Sequence, residues 1–199
     1  MSTAVLAERI VEAGKRLFAE QGFHATGMRA IARAAGVSIG AIYHYFASKD
    51  EIFLAVLRQE YERRLQEARA LWEQGLPASE IIRRVVELHF ATLAGHKESV
   101  QLLSRAWAPE TPALRAQVQA LREEYAAYIA KFLEEGMEAG QIRRAHPLLT
   151  AYALLGLVEA VTGRALADDE AARELLEVGP AELADMSWRA LRPEGRGDA

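Results

Sequence analysis

The chain has 199 residues, is 51% apolar and 26% charged, and contains no cysteine. That composition excludes disulfides, thiolate metal sites and a disordered polyelectrolyte, and it allows one ordinary domain plus a small one. The net charge of −4 conceals a division: residues 1–50 hold six Lys/Arg against four Asp/Glu, the remainder 18 against 24, a basic head on an acidic body as in a DNA-binding module joined to something else.

From the amino terminus, MSTAVLAERIVEAGKRL carries charges throughout, unlike a signal peptide. No stretch has the length of a membrane span without a charge or breaker, so a cytoplasmic protein with no membrane partner is expected. Ala, Leu, Glu and Arg dominate and period-two strand patterns are missing, which predicts an all-α fold. The first helix runs over roughly 3–21, with Leu6, Ile10, Val11, Gly14, Leu17 and Phe18 on its apolar face and Gly22 as its stop. Short helices follow at about 28–35 and 39–46. A fourth starts after Ser48, where Ser48 and Glu51 have capping-box spacing, and continues to about Trp72. Longer helices are predicted at about 79–94, 97–107, 112–138, 147–166 and 180–191, bounded by Gly95, Pro112, Gly140, Pro147 and Gly179-Pro180. Segment 168–178 also reads as helical, capped by Asp168 or Asp169, and 193–199 as a tail.

The stretch from Gly22 to Phe46 is the most informative. Two short helices that cross closely need a small residue where they meet, and Ala32 supplies it. Four residues later the turn needs a left-handed backbone, and Gly36 is there. Ile31, Val37 and Ile42 fall where apolar side chains close the corner onto the first helix, and Ser38 can cap the third. The third helix then points its first turn outward, as a recognition helix does in a major groove.

Ala-Gly-Val-Ser-x-Gly-x-x-Tyr-x-Tyr-Phe-x-x-Lys, from Ala35 to Lys49, resembles the signature of the TetR family. Gly22-Phe23 and Ile31-Ala32 are similar to that family too. The resemblance implies an N-terminal three-helix helix-turn-helix DNA-binding domain over 1–48 and a C-terminal helical domain for ligand binding and dimerisation over 49–199. It further implies a homodimeric transcriptional regulator of double-stranded operator DNA, with no cofactor. Carried over position by position, Thr26 and Arg29 lie beside a phosphate. Ser38, Ile39, Gly40 and Ala41 face base edges or backbone, Tyr43 and His44 reach phosphates or the groove, and Lys49 pairs with a phosphate. A phosphate contact at Lys49 would contribute about one unit to the salt slope of binding. Two positions depart from the family pattern. Gly27 removes a hydroxyl contact or cap, and Ile39 replaces a polar or basic side chain, shifting readout toward a thymine methyl and DNA shape.

Beyond residue 50, Leu148, Leu149, Tyr152, Leu154, Leu155, Leu157, Val158 and Val161 make helix 147–166 apolar nearly all round, with Gly156 and Ala160 permitting close helix contact. It is either the dimer helix that the resemblance implies or a central core helix of one subunit. Leu114, Val118, Leu121, Tyr125, Tyr128, Ile129, Phe132 and Leu133 form an inward stripe on helix 112–138. With His89, Leu93, Leu103 and Trp107 they could line an apolar effector pocket, of which His89, Leu93, Leu103, Trp107, Tyr125, Tyr128 and Phe132 are the expected contacts. His89 is either a ligand contact or a buried histidine satisfied internally; Arg105 and Glu159 are further candidates. A fatty acid or acyl-CoA suits the stripe, the latter requiring basic residues at the mouth, such as Arg83, Arg84, Lys97 or Arg105. An enzyme is not expected: the five histidines form no metal pair at helical spacing, and there is no phosphate loop or nucleophile elbow. The competing reading is a helical small-molecule carrier of the same fold that does not read DNA. Repression and activation are not separated by the sequence.

Overall fold

A computed structural model describes residues 3–95, 111–165, 167 and 169–193, all helix, turn or loop. Eight helices lie among them: α1 (Thr3–Ala25), α2 (Met28–Ala34), α3 (Ile39–Tyr45), α4 (Lys49–Glu73), α5 (Ala78–Gly95), α6 (Pro112–Glu138), α7 (Pro147–Ala165) and α8 (Glu170–Leu191). The all-α expectation holds. The helix expected over 97–107 falls outside the described residues.

The chain divides into two compact units. The first comprises residues up to Glu62 and the described residues 111–119; the second holds 63–95 and the described residues from Ala120 onward. The expected boundary at 48 therefore falls inside the first unit. The reason is that the first half of α4 packs tightly on α1: a Cβ on Gly14 would come within 2.6 Å of the Ile52 side chain. Lys15 also pairs with the buried Glu60 at 2.6 Å. Ile10, Phe18, Ile31, Ile42, Ile52, Val56 and Leu57 are buried in this unit. The Phe18, Phe23 and Phe53 rings meet pairwise with centroids 5.1–5.6 Å apart.

α1 is interrupted at Gly22, whose φ of 85° and ψ of 162° suit only glycine, so the predicted stop is a real break in the helix. At the end of α2, Gly36 takes φ +64°. Val37 N–H donates to the Ala32 carbonyl at 2.9 Å and Gly36 N–H to the Arg33 carbonyl at 3.1 Å, the paired bonds of a Schellman stop. Ser38 caps α3 through a 3.1 Å bond from Ala41 N–H. The capping box of α4 forms in a slightly shifted version: Ser48 Oγ accepts from Glu51 N–H, but the Glu51 carboxylate reaches back to Ala47 N–H.

In the second unit α8 packs on both α5 and α7. Ala78, Ala130, Leu133, Ile142, Ala151 and Leu191 form a buried cluster there, with Trp188 and Met137 against it. Asp169 caps α8 by accepting from Ala172 N–H at 2.9 Å. The predicted break at Gly179-Pro180 is absent, because α8 runs through both residues. An internal proline withholds a donor and costs an isolated helix about 3 kcal/mol. Here Gly179 is buried with the Phe90 ring 3.2 Å from its would-be Cβ, and flanking Ala172, Leu183 and Ala184 are buried too. Tertiary packing on both sides of the proline offsets the local defect. α7 also departs from expectation: by length and composition it could cross a membrane. Its polar groups, Glu159 paired with Arg122 and Thr162 buried, are instead spent inside the second unit.

Candidate DNA interface and effector cavity

In the first unit, α3 turns Ile42 fully inward and leaves Ser38, Ile39, Gly40, Tyr43 and His44 exposed, with Ala41 half-buried. Tyr43 is 54% and Ile39 41% exposed, so both side chains stand free of the core. Gly40 has only Ser38 Oγ, at 4.0 Å, near its missing Cβ, so internal packing does not demand a glycine there. Arg29 is exposed on α2, as is Arg33. Gly27 stands at the N-cap of α2 with no side-chain cap, as the departure from the family pattern implies.

Two expected phosphate contacts are placed otherwise. Thr26 is buried, and its hydroxyl donates to the Gly22 carbonyl at 2.8 Å, with the Leu17 carbonyl at 3.2 Å. It closes the break in α1 rather than facing outward. The Lys49 ammonium lies 2.9 Å from the Phe23 carbonyl, 3.3 Å from that of Thr26 and 3.5 Å from that of His24, over the Phe23 ring at 4.3 Å. The end of α1 leaves carbonyls without helical donors, and a cation there satisfies them and the helix dipole together. Sequence reasoning also missed Arg9, whose guanidinium donates to the Ala35 carbonyl at 2.6 Å and braces the turn beside Gly36. As one of three Lys/Arg on α1, with Lys15 and Arg16, it gave no signal of that role.

The second unit holds a cavity of about 220 Å³, where one water needs roughly 10–15 Å³. Trp72, Ile82, Val86, Ile129, Phe132 and Leu155 are among the apolar residues of its wall; Arg63, Arg64, Glu67, His89, Tyr125 and Ser187 are its polar members. Of the expected contacts, His89, Tyr125 and Phe132 line it. Tyr128 does not: it is 57% exposed. A helical period of 3.6 puts positions 125, 129 and 132 on one face, and 128 falls at its edge. The Leu93 side chain, Leu103, Trp107, Lys97 and Arg105 lie outside the described residues. Arg83 and Arg84 are not in the wall. Both pair with Glu80, and Arg83 also with Glu87; the two guanidinium groups hold the Glu80 carboxyl down at about 2.

His89 is tied into a polar relay. Arg64 Nη1 donates to His89 Nδ1 at 2.7 Å; Nε2 then carries the proton and donates to Thr162 Oγ1 at 2.6 Å, and the threonine hydroxyl donates to the Val158 carbonyl at 2.7 Å. The direction follows because a guanidinium has only donors. Burial, and then the charges of Arg64 and Arg63, push the His89 pKa down to about 3, so the ring is neutral. Glu159, outside the wall, sits 3.3 Å from Arg122, yet burial raises its pKa to about 7. Burial also raises the Tyr125 hydroxyl. The sequence did hold a sign of Arg64: with Leu57, Glu60, Ala68 and Leu71 it falls at helical spacing along the inward stripe of α4.

A helix-turn-helix with an exposed third helix, in a chain that also holds an apolar cavity, is the architecture of a helical DNA-binding protein. Residues 10–56 match the bacterial regulatory proteins of the tetR family, and residues 75–163 the tetracyclin repressor-like C-terminal domain. The transcriptional regulator RutR of Escherichia coli (strain K12) is 30% identical over 181 residues, covering 84% of each chain. FadR of Bacillus subtilis, solved in complex with stearoyl-CoA, has a TM-score of 0.77 at 20% identity, covering 92% of this chain and 98% of that one. Thermus thermophilus FadR, a repressor solved in complex with lauroyl-CoA, has a TM-score of 0.71 at 25% identity, covering 97% and 99%. The chain belongs to the TetR family, and is a DNA-binding transcriptional regulator.

Proposed function

We propose that this regulator is a repressor that binds a palindromic operator as a homodimer and leaves it when a largely apolar effector, an acyl compound, enters the cavity of the second unit. The observation that carries the reading is the dual service of α4. Its first residue, Lys49, clasps the end of α1 beside the helix-turn-helix, and about four turns on its Arg64 lines the cavity. An effector that moves the cavity end of α4 acts on a helix whose other end holds the reading head. Such an effector must bind the DNA-free state more tightly, since equal affinity for both states shifts nothing. The fatty-acyl ligands of the two FadR proteins support the ligand class. Arg29, Ser38, Ile39, Gly40, Ala41, Tyr43 and His44 are the residues assigned to DNA.

The partner copy is assigned to the outer face of α7 and α8. Leu149 is 67% exposed there, Tyr152, Gly156, Ala160 and Gly163 continue its stripe to solvent, and Met186 and Val178 are exposed on α8. No heavy atom lies within 4 Å of where Cβ atoms on Gly156 and Gly163 would stand.

Selection from a random duplex pool tests the reading. The expected result is enrichment of one inverted repeat with half-sites about 34 Å apart, released on adding acyl compounds. Enrichment of nothing palindromic would leave a helical carrier; enrichment that acyl compounds strengthen would make the protein a co-repressor-dependent regulator.

A further inference from the structure

The polar wall of the cavity holds a charge that its surroundings do not answer. Arg63 is paired with Glu67, and Arg122 with Glu159. Arg64 has no carboxylate partner among the described residues: its Nη1 is spent on the neutral His89, while Nε and Nη2 are shut off from solvent without a hydrogen-bond acceptor. Leaving a charged donor pair buried and unmade is costly. Nε–H and Nη2–H lie along one edge of the guanidinium, the edge that takes both oxygens of a carboxylate in parallel.

The relay makes this edge rigid. Arg64 is held through His89 and Thr162 to the Val158 carbonyl, so its remaining fork has a fixed direction. A lysine could not offer that geometry. The rest of the wall, from Trp72 to Leu155, is mostly apolar.

We propose that Arg64 binds the carboxylate of the effector through its Nε/Nη2 edge, so that the effector is a free monocarboxylic acid with an extended apolar body and not its CoA thioester. This rests on the reading of the cavity as the effector site. A thioester presents a neutral carbonyl to the fork and places its phosphates elsewhere, where they need cations. Arg83 and Arg84, the described candidates for that role, are engaged by Glu80 and Glu87 and stand outside the wall.

Isothermal titration of the full-length protein with octanoate, dodecanoate and hexadecanoate, their methyl esters and dodecanoyl-CoA tests it. The wild type is expected to bind at least one acid about tenfold or more tightly than its ester, as befits a hydrogen-bonded charge pair. Arg64→Gln is expected to bring acid and ester to parity, and Arg64→Lys to recover only part of the preference. The acid-to-ester ratio of the wild type needs no variant to fold. Equal binding of acid and ester, or tighter binding of dodecanoyl-CoA than of dodecanoate, overturns the carboxylate assignment and leaves the apolar effector standing. Failure of every acid, ester and thioester to bind overturns both.

Discussion

Glu159 and His89 are the two titrating groups whose environments pull hardest in opposite directions. His89 is held neutral down to about 3, against an ordinary 6.5. As pH falls below 6.5 the unfolded chain takes a proton that the folded one refuses, and stability is lost toward pH 3. Glu159 titrates near 7 in the fold against an ordinary 4.5, so the fold takes the proton first and gains stability as pH falls from 7 to 4.5. Between about 4.5 and 6.5 the two slopes oppose each other, each with a ceiling of about 1.4 kcal/mol per pH unit. Glu159→Gln is therefore expected to make the protein lose stability more steeply on acidification across that window than the wild type. His89→Gln is expected to make it gain. Urea midpoints at pH 6.5 and 5 read the difference, and parallel profiles for both variants would show that neither shift exists.

At the scale of the element, α4 draws on both kinds of anchor. Its start is fixed by Lys49 on three carbonyls and by the Ser48–Glu51 cap. Lys49→Ala is expected to cost about 1–2 kcal/mol, the range for hydrogen bonds to a half-exposed charged group, and to weaken DNA binding through a loosened head. Because the ammonium serves carbonyls, the salt slope of binding should stay within about half a unit of the wild-type value. A drop of a full unit in log affinity against log salt, with unchanged melting, would return Lys49 to the phosphate. The same helix explains how Arg64 went unnoticed in the sequence. A charged residue on an apolar stripe is visible, but α4 has Arg58, Arg63, Arg64 and Arg69, and only packing separates the one that turns inward to His89.

For the whole molecule, the exposed apolar stripe of α7 is the feature with the largest consequence. Substituting Gly156 with Glu places a charge where nothing lies within 4 Å of the new Cβ, so the subunit itself should fold. It is expected to convert a particle of twice 22.0 kDa to one of 22.0 kDa and to lose operator affinity with it, because one short recognition helix buries too little to hold DNA alone. Light scattering coupled to gel filtration checks the mass; an unchanged dimer would move the interface away from α7.

Much of the helical frame was readable from local chemistry. Helix periodicity, Gly22, Gly36, Ser38, Asp169 and the Ser48–Glu51 pair act over a few residues, and each sits at the helix break or end it signalled. The family of the head was legible for the same reason, since Ala35 to Lys49 is one contiguous pattern. Tertiary structure alone decided what depends on residues far apart in the chain. It carried α8 through Pro180 because Phe90 and its neighbours repay the lost bond, and it turned Thr26 and Lys49 onto the carbonyls at the end of α1. It also assembled Arg64, His89 and Thr162 into one relay. A pattern of period 3.6 says which face turns inward, but the partner that meets a polar group there is set by the packing of other helices.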